Sequence, residues 1–213
     1  MKRFVVTGSP RSGTTWFSAA LRSLRVSCGH EQIFTPKGPN WSADFKGDVS
    51  WMAQPHVPGL GKEVVVIHQV RDPAYAIPSI MARKLLDDEG TESKGRMWGI
   101  YQAYVHKHAP ECFNWPQGIQ RAAAFWCMWN EPLRKLAHGF KLEDVDEAFL
   151  RRFMGWIEYE LPADLKEEDL TRAVLVRTAP ASAALNLDDL TPDLRSRVQN
   201  LAFELGYEGG RSR

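Results

Sequence analysis

A short apolar strand that runs directly into a glycine-bounded turn and then into a helix restricts the fold of this chain most. Residues 4–6 are aromatic or β-branched, as in a strand, and turn-forming residues fill positions 8–13. The following apolar residues recur at helical spacing: Phe17, Ala20, Leu21 and Leu24. Such a unit aims backbone N–H groups and the positive end of a helix at one spot, so it predicts an anion site.

The rest of the chain alternates in the same way. Residues 63–70 contain four consecutive apolar residues, and Asp72 and Pro73 then begin a helix. Further segments are expected as strands at 140–145 and 173–176 and as helices at 122–137, 147–160 and 192–205. Residues 32–62 and 87–117 have the least periodicity and are expected to be lids or acceptor walls. The alternation predicts a three-layer α/β fold, a mainly parallel sheet flanked by helices, like that of P-loop NTPases.

The composition is that of an ordinary globular protein with balanced charge. The 213 residues include 27 Lys and Arg against 26 Asp and Glu. One core can grow to this length, so we expect a single domain over residues 1–213. The charge balance gives no reason to expect nucleic acid or a membrane as a partner. Three scattered cysteines and no apolar run long enough for a signal peptide favour a cytoplasmic protein.

The glycine loop differs from an ATP-binding Walker A loop at one decisive position. Gly8 and Gly13 have the Walker A spacing, but Thr14 stands where that motif has a lysine. We therefore do not expect ATP hydrolysis. The cation of this loop is Arg11, whose planar guanidinium can reach the bridging oxygen of a departing phosphate.

Eight consecutive residues of the loop resemble the 5'-phosphosulfate loop of the sulfotransferase family, in which Pro-Lys/Arg-Ser-Gly-Thr-Thr is characteristic. They are Ser9, Pro10, Arg11, Ser12, Gly13, Thr14, Thr15 and Trp16. The resemblance implies that these residues bind 3'-phosphoadenosine 5'-phosphosulfate (PAPS) as the sulfuryl donor. The product would be adenosine 3',5'-diphosphate (PAP).

A second motif of that family follows in the expected order. The family has Arg-Asp/Asn-Pro after a strand and a serine eight positions after the arginine, and both residues contact the 3'-phosphate. This chain has Arg71, Asp72, Pro73 and Ser79. The resemblance therefore implies that Arg71 and Ser79 bind the 3'-phosphate. Pro78 immediately precedes the serine and is expected to kink the helix.

Three side chains are candidates for the general base that an alcohol acceptor requires. Glu31 ranks first, because it follows the first helix and resembles the glutamate of tyrosylprotein sulfotransferases, which also comes after a Cys-Gly. His56 ranks second and resembles the His-Leu-Pro histidine of the cytosolic sulfotransferases. His30 ranks third. His68 lies in a buried strand and is expected to be a core residue.

The sequence thus predicts a sulfotransferase with an unidentified hydroxyl or amine acceptor and an undetermined oligomeric state. The acceptor would attack sulfur in line while Glu31 or a histidine takes its proton and Arg11 stabilises the leaving group. Two alternatives stay open: a P-loop nucleotide or small-molecule kinase, and an inactive nucleotide-binding module. No metal is expected, because His106, His108 and Cys112 have none of the usual zinc spacings.

Overall fold

The apolar strand before the glycine loop is the central strand of a parallel sheet. The structure is a computed structural model and describes residues 1–41, 44–88, 96–175 and 184–207. The strands are β1 (Arg3–Thr7), β2 (Cys28–His30), β3 (Phe34–Thr35), β4 (Gly38–Pro39), β5 (Gly47–Val49), β6 (Val64–Val70) and β7 (His138–Lys141). Five of them form one sheet in the order β2-β5-β1-β6-β7, and all its pairings are parallel. Strands β3 and β4 pair separately as an antiparallel hairpin.

Helices alternate with these strands, so the predicted α/β class with a parallel sheet flanked by helices is confirmed. They are α1 (Thr14–Ser23), α2 (Pro73–Ala82), α3 (Arg96–His108), α4 (Ile119–Asn130), α5 (Glu147–Trp156), α6 (Glu167–Leu175) and α7 (Pro192–Glu204). A 3-10 helix spans Trp51–Gly59, and shorter ones lie at Pro110–Asn114, Glu131–Leu133, Leu142–Asp144 and Leu187–Asp189. In the part of the chain that the structure describes, no helix is both long and apolar enough to cross a membrane.

The described chain divides into two compact units. Unit 1 consists of Met1–Gly8, Ser12–Val70 and the segment from Leu136 through α6, and therefore holds the whole sheet. Unit 2 consists of Ser9–Arg11, Arg71–Lys135 and residues 184–207. Both units are thus built from separate stretches of the chain. The expected single domain stays a prediction.

The core of unit 1 lies on the two faces of the sheet. Alternate residues of β1 point to opposite faces, so Phe4 and Val6 pack with α1, α5 and α6, whereas Val5 packs with Ile33 and Ala53. The larger cluster is rich in aromatic rings, and the Phe17 ring lies edge-on to that of Phe153 with centroids 5.1 Å apart. This packing fixes α1 against the sheet and so fixes where the helix begins.

Several expected boundaries were wrong. The expected strand at 173–176 is helix α6 up to Leu175, because Leu170 and Ala173 are buried at helical spacing and three acidic residues begin the helix. Position 176 lies outside the described residues. Helix α3 occupies a segment expected to be irregular, and the short strands β2 and β5 were not predicted. The strand expected at 140–145 ends at Lys141, and the helix expected at 122–137 ends at Asn130.

Candidate functional site

The two sequence motifs follow neighbouring strands of the sheet. Strand β1 lies between β5 and β6. From β1 the chain passes through α1 to the β2 edge, whereas after β5 it continues to β6 on the other side of β1. The strand order therefore reverses at the carboxyl ends of β1 and β6, where open α/β sheets bind ligands. The glycine loop follows β1, and Arg71 follows β6.

Both glycines of the loop are required by close contacts. A Cβ on Gly8 would lie 1.9 Å from the carbonyl oxygen of Gln69. Gly13 has φ 95°, and a Cβ there would lie 2.6 Å from Cδ2 of Leu142. Gln69 also donates from Nε2 to the carbonyl of Ser12 at 2.8 Å. The two ends of the loop, which belong to unit 1, are thus held against Gln69 of strand β6, and neither glycine position has room for a side chain.

The start of α1 has the features of an anion site. Arg11 and Gly13 both have left-handed φ angles, 70° and 95°. The first turn of α1 has no acidic residue and no side-chain cap, so its N–H groups lack acceptors within the helix. Helix α2 differs, because Asp72 accepts at Oδ1 from the N–H of Ala74 at 2.8 Å. A bound anion would accept hydrogen bonds from the first N–H groups of α1, as the side chain of Asp72 does at the start of α2.

Two buried serine hydroxyls of the loop support this interpretation. Ser9 is 1% exposed and Ser12 is fully buried, yet neither Oγ has a hydrogen-bond partner among the described residues. Such groups are costly unless a ligand or water satisfies them. The loop therefore fits an oxygen-rich anion such as a phosphate or a sulfate ester.

In unit 2, Arg11 of the first motif contacts Arg71 and Ser79 of the second motif. Arg11 donates from Nε to Oγ of Ser79 at 2.9 Å. Arg71 donates from Nη1 to the carbonyl of Arg11 at 3.2 Å. Partial burial, followed by the charges of Arg83 and Arg71, lowers the pKa of Arg11. Arg71 and Ser79 lie 60 and 68 positions after Arg11 in the chain, yet both contact it. Arg11 and Arg71 thus form a cationic cluster beside Ser79.

The expected kink at Pro78 stays a prediction, but the proline does not interrupt helix α2. Helix α2 continues from Pro73 to Ala82 with Pro78 inside it. Proline cannot donate to the carbonyl of Ala74, but the N–H of Leu185 donates to that oxygen at 2.8 Å. Because this contact from a distant segment replaces the missing helical hydrogen bond, Ser79 keeps its place on the helix.

Two of the candidate bases lie at the end of β2 beside α1. His30 is the last residue of β2, and its Nε2 lies 3.2 Å from Oγ1 of Thr15 and 3.4 Å from Oγ1 of Thr14. Glu31 follows it, with Oε1 3.7 Å from Nε2 of His30. Burial and then the charge of Arg22 lower the pKa of His30. Unit 1 thus brings His30 into contact with the threonines of the loop motif, and Glu31 lies beside His30.

Asp48 positions this region, and sequence reasoning missed it. The residue is fully buried on β5, and its carboxylate accepts from the N–H groups of Gln32, Ile33 and Phe34 at 3.3, 3.0 and 2.9 Å. These three bonds form the turn that begins at Glu31, whose φ is 57°. Burial raises the pKa of Asp48, and the N–H groups oppose that rise. Asp48 belongs to no motif that the sequence shows, so this role could not be predicted from its neighbours in the chain.

The other predicted residues lie nearby in the chain but make different contacts. His56 belongs to the 3-10 helix Trp51–Gly59, and its ring packs on Phe34 with centroids 6.0 Å apart. Trp16 is half-buried against the larger core cluster, and Pro10 is buried. His68 is 4% exposed on β6, as expected for a core histidine.

The segment considered for zinc is packed by aromatic rings. The His106 ring stacks on Phe113 with centroids 3.7 Å apart, and His108 lies against Tyr104. Cys112 is fully buried, and burial raises its pKa to about 12. Within residues 1–41, 44–88, 96–175 and 184–207, no three His, Cys, Asp or Glu residues are grouped to hold a metal ion. The expectation that no metal is needed stays a prediction.

Comparison with known proteins does not identify a family for this chain. A scan against protein-family models and a search of curated proteins both returned no match to the chain.

Proposed function

We propose that the chain is a sulfotransferase with a P-loop-like, three-layer α/β fold that uses PAPS as its sulfuryl donor. The observation that carries the proposal is the contact between the two motifs, in which Arg11 binds Ser79 and Arg71 binds the carbonyl of Arg11. A capped helix after a buried strand would account for Asp72 and Pro73 alone. It would not account for a serine eight residues after Arg71 that meets the loop arginine.

The residues present fit a donor with phosphate at both ends. Ser12, Gly13, Thr14 and Thr15 would hold the 5'-phosphosulfate with the first turn of α1, where the buried hydroxyl of Ser12 has no hydrogen-bond partner among the described residues. Arg71 and Ser79 would hold the 3'-phosphate. When bound, PAPS supplies an activated sulfuryl group to the acceptor and leaves as PAP. The chain's own residues would take the acceptor's proton and stabilise the negative charge of the leaving phosphate.

Arg11 can take part in two contacts because of the shape of its guanidinium. Its Nε is used by Ser79, and among the described residues its two Nη groups have no partner. A fork of this kind binds two oxygen atoms of a phosphate at once. Ser79 would therefore orient Arg11 while the Nη groups face the leaving phosphate.

The kinase alternative is disfavoured by the same loop. Thr14 occupies the Walker lysine position, and its hydroxyl lies 3.4 Å from His30. Arg11 is the loop's one cation, and it is engaged with the residue assigned to the 3'-phosphate. A kinase has no use for a 3'-phosphate site, whereas both a sulfotransferase and an inactive PAP-binding module require one.

Calorimetric titration with PAP, AMP and ATP tests the proposal. We expect the wild-type chain to bind PAP most tightly, and Arg71→Ala to weaken PAP while leaving AMP within about twofold. A charge-assisted hydrogen bond to phosphate contributes about 1.5–3 kcal/mol, which corresponds to a loss of about 10- to 150-fold. Equal weakening of PAP and AMP would remove the 3'-phosphate from the assignment. ATP binding tighter than PAP would favour the kinase.

Arg11→Ala separates catalysis from binding. We expect lower turnover at saturating PAPS with PAP affinity within about tenfold of wild type, because the leaving oxygen gains charge mainly in the transition state. The variant keeps the backbone carbonyl that Arg71 binds. Arg11→Gly is the backbone control, since glycine adopts a φ of 70° without strain. A turnover number that does not change would exclude Arg11 from the reaction.

A further inference from the structure

The cationic cluster of unit 2 contains a third arginine that neither motif includes. Arg83 follows the last turn of α2 and is exposed. Its positive charge lowers the pKa of Arg11 more than that of Arg71 does. The charges of Arg71 and Arg83 thus both act on Arg11. In the described part of the chain, none of the three forms an ion pair with a carboxylate.

The helix brings Arg83 to the same face as Ser79. Residues four apart on a helix are neighbours, with Cβ atoms about 5–6 Å apart. Ser79 is the residue that Arg11 contacts. Arg83 keeps helical backbone angles, φ −77° and ψ −14°, and its N–H donates to the carbonyl of Ile80 at 3.1 Å. Arg83 therefore stands one turn beyond the Arg11–Ser79 contact.

This register depends on the contact that compensates for Pro78. Without the N–H of Leu185, the carbonyl of Ala74 would lack a partner and the helix would be free to bend between Asp72 and Ser79. With it, the helix runs without a break from Pro73 to Ala82, with Arg71 before it and Arg83 directly after it. The third arginine is thus held by the same helix as the second motif.

The charge of the cluster defines the ligand that it fits. Two other arginines of unit 2 are paired with carboxylates: Arg197 with Glu131 at 2.7 Å and Arg134 with Glu204 at 3.1 Å. Guanidinium groups that have no carboxylate partner among the described residues instead match a phosphate monoester, which carries up to two negative charges near neutral pH and several acceptor oxygens. A carboxylate would neutralise only one of the three charges.

We propose that Arg83 is a second cation of the 3'-phosphate site, beside Arg71, and determines the preference of this chain for a 3'-phosphorylated nucleotide. The proposal rests on the proposed function, because it takes the ligand of Arg71 and Ser79 to be a 3'-phosphate. Its own basis is the register of Arg83 with Ser79 and the absence of carboxylate partners among the described residues.

The test is calorimetric titration of Arg83→Ala and Arg83→Gln with PAP and with AMP at low salt. We expect about a tenfold loss of PAP affinity in both variants and AMP affinity within about twofold, because an exposed arginine contributes at the lower end of the range for a charged contact. Arg83→Lys should recover part of the loss. Arg83 is exposed, so both variants are expected to keep the wild-type melting temperature within about 2 °C.

Lys84→Ala is the matched control. It removes the same charge one residue further on, so a general effect of net charge would weaken PAP equally in Lys84→Ala and Arg83→Ala. That result would overturn the role of Arg83, as would wild-type PAP affinity in both Arg83 variants while the wild-type chain still prefers PAP to AMP. A wild-type chain that binds PAP and AMP equally would instead overturn the proposed function, and the role of Arg83 with it.

Discussion

Gly8→Ala is expected to abolish the native fold or to lower its free energy of unfolding by at least about 3 kcal/mol. The added Cβ would lie 1.9 Å from the carbonyl oxygen of Gln69, a backbone atom of a central strand that cannot move without breaking the β1–β6 pairing. Overpacking of a well-packed site costs about 1–3 kcal/mol where side chains can adjust, and more where backbone must move. Urea denaturation followed by circular dichroism measures the loss.

Gly155→Ala is the control with the opposite expected sign. Gly155 lies in α5, and a Cβ there would meet nothing within 4 Å. Alanine in a helix is favoured over glycine by about 0.5–1 kcal/mol, so this variant is expected to be more stable than the wild type.

A stable Gly8→Ala variant that retains PAP binding would show that the loop does not approach Gln69 as described.

Glu31→Gln is expected to lower turnover about a hundredfold or more with PAP affinity unchanged. Removal of a general base typically costs 10²–10⁴-fold, and glutamine keeps the size and polarity of the side chain. Glu31 follows the carboxyl end of β2, and the three hydrogen bonds to Asp48 hold the turn after it. An acceptor found by mass spectrometry through its gain of one sulfate allows turnover to be measured at saturating PAPS.

His56→Asn and His30→Asn distinguish the alternatives. We expect His56→Asn to keep turnover within about tenfold, because the ring of His56 packs on Phe34 rather than on the loop threonines. His30→Asn should weaken PAP binding as well as turnover, since His30 contacts the hydroxyls of Thr14 and Thr15. Normal turnover in Glu31→Gln together with its loss in His56→Asn would reverse the ranking of the bases.

The class of fold and the positions of the two motifs could be predicted from local sequence. A continuous apolar run at 64–67 indicates a strand buried in a parallel sheet, and Asp72 with Pro73 indicates a helix start; the structure has both. Gly8 and Gly13 likewise predict a tight loop between β1 and α1. These features depend on a few neighbouring residues, and short-range sterics and hydrogen bonding determine them.

The two short strands on one side of β1 could not be predicted in this way. Strands β2 and β5 have three residues each, and they are stabilised by pairing with β1 and with each other rather than by their own propensity. The buried carboxylate of Asp48 depends on that pairing, because β5 places it beside the N–H groups of residues 32–34. One of the two segments with the least periodicity, residues 32–62, thus contains the residue that fixes the turn at Glu31.

The sequence by itself determined the α/β class, the glycine loop and the order of the two motifs, because each follows from contacts within a few residues. The tertiary structure alone decided that Arg11 meets Ser79, and that Pro78 leaves α2 intact. The first depends on side chains 68 positions apart, and the second on a hydrogen bond from Leu185 to Ala74. Contacts between residues so distant in the chain leave no local pattern, since they form only when the strands and helices have packed.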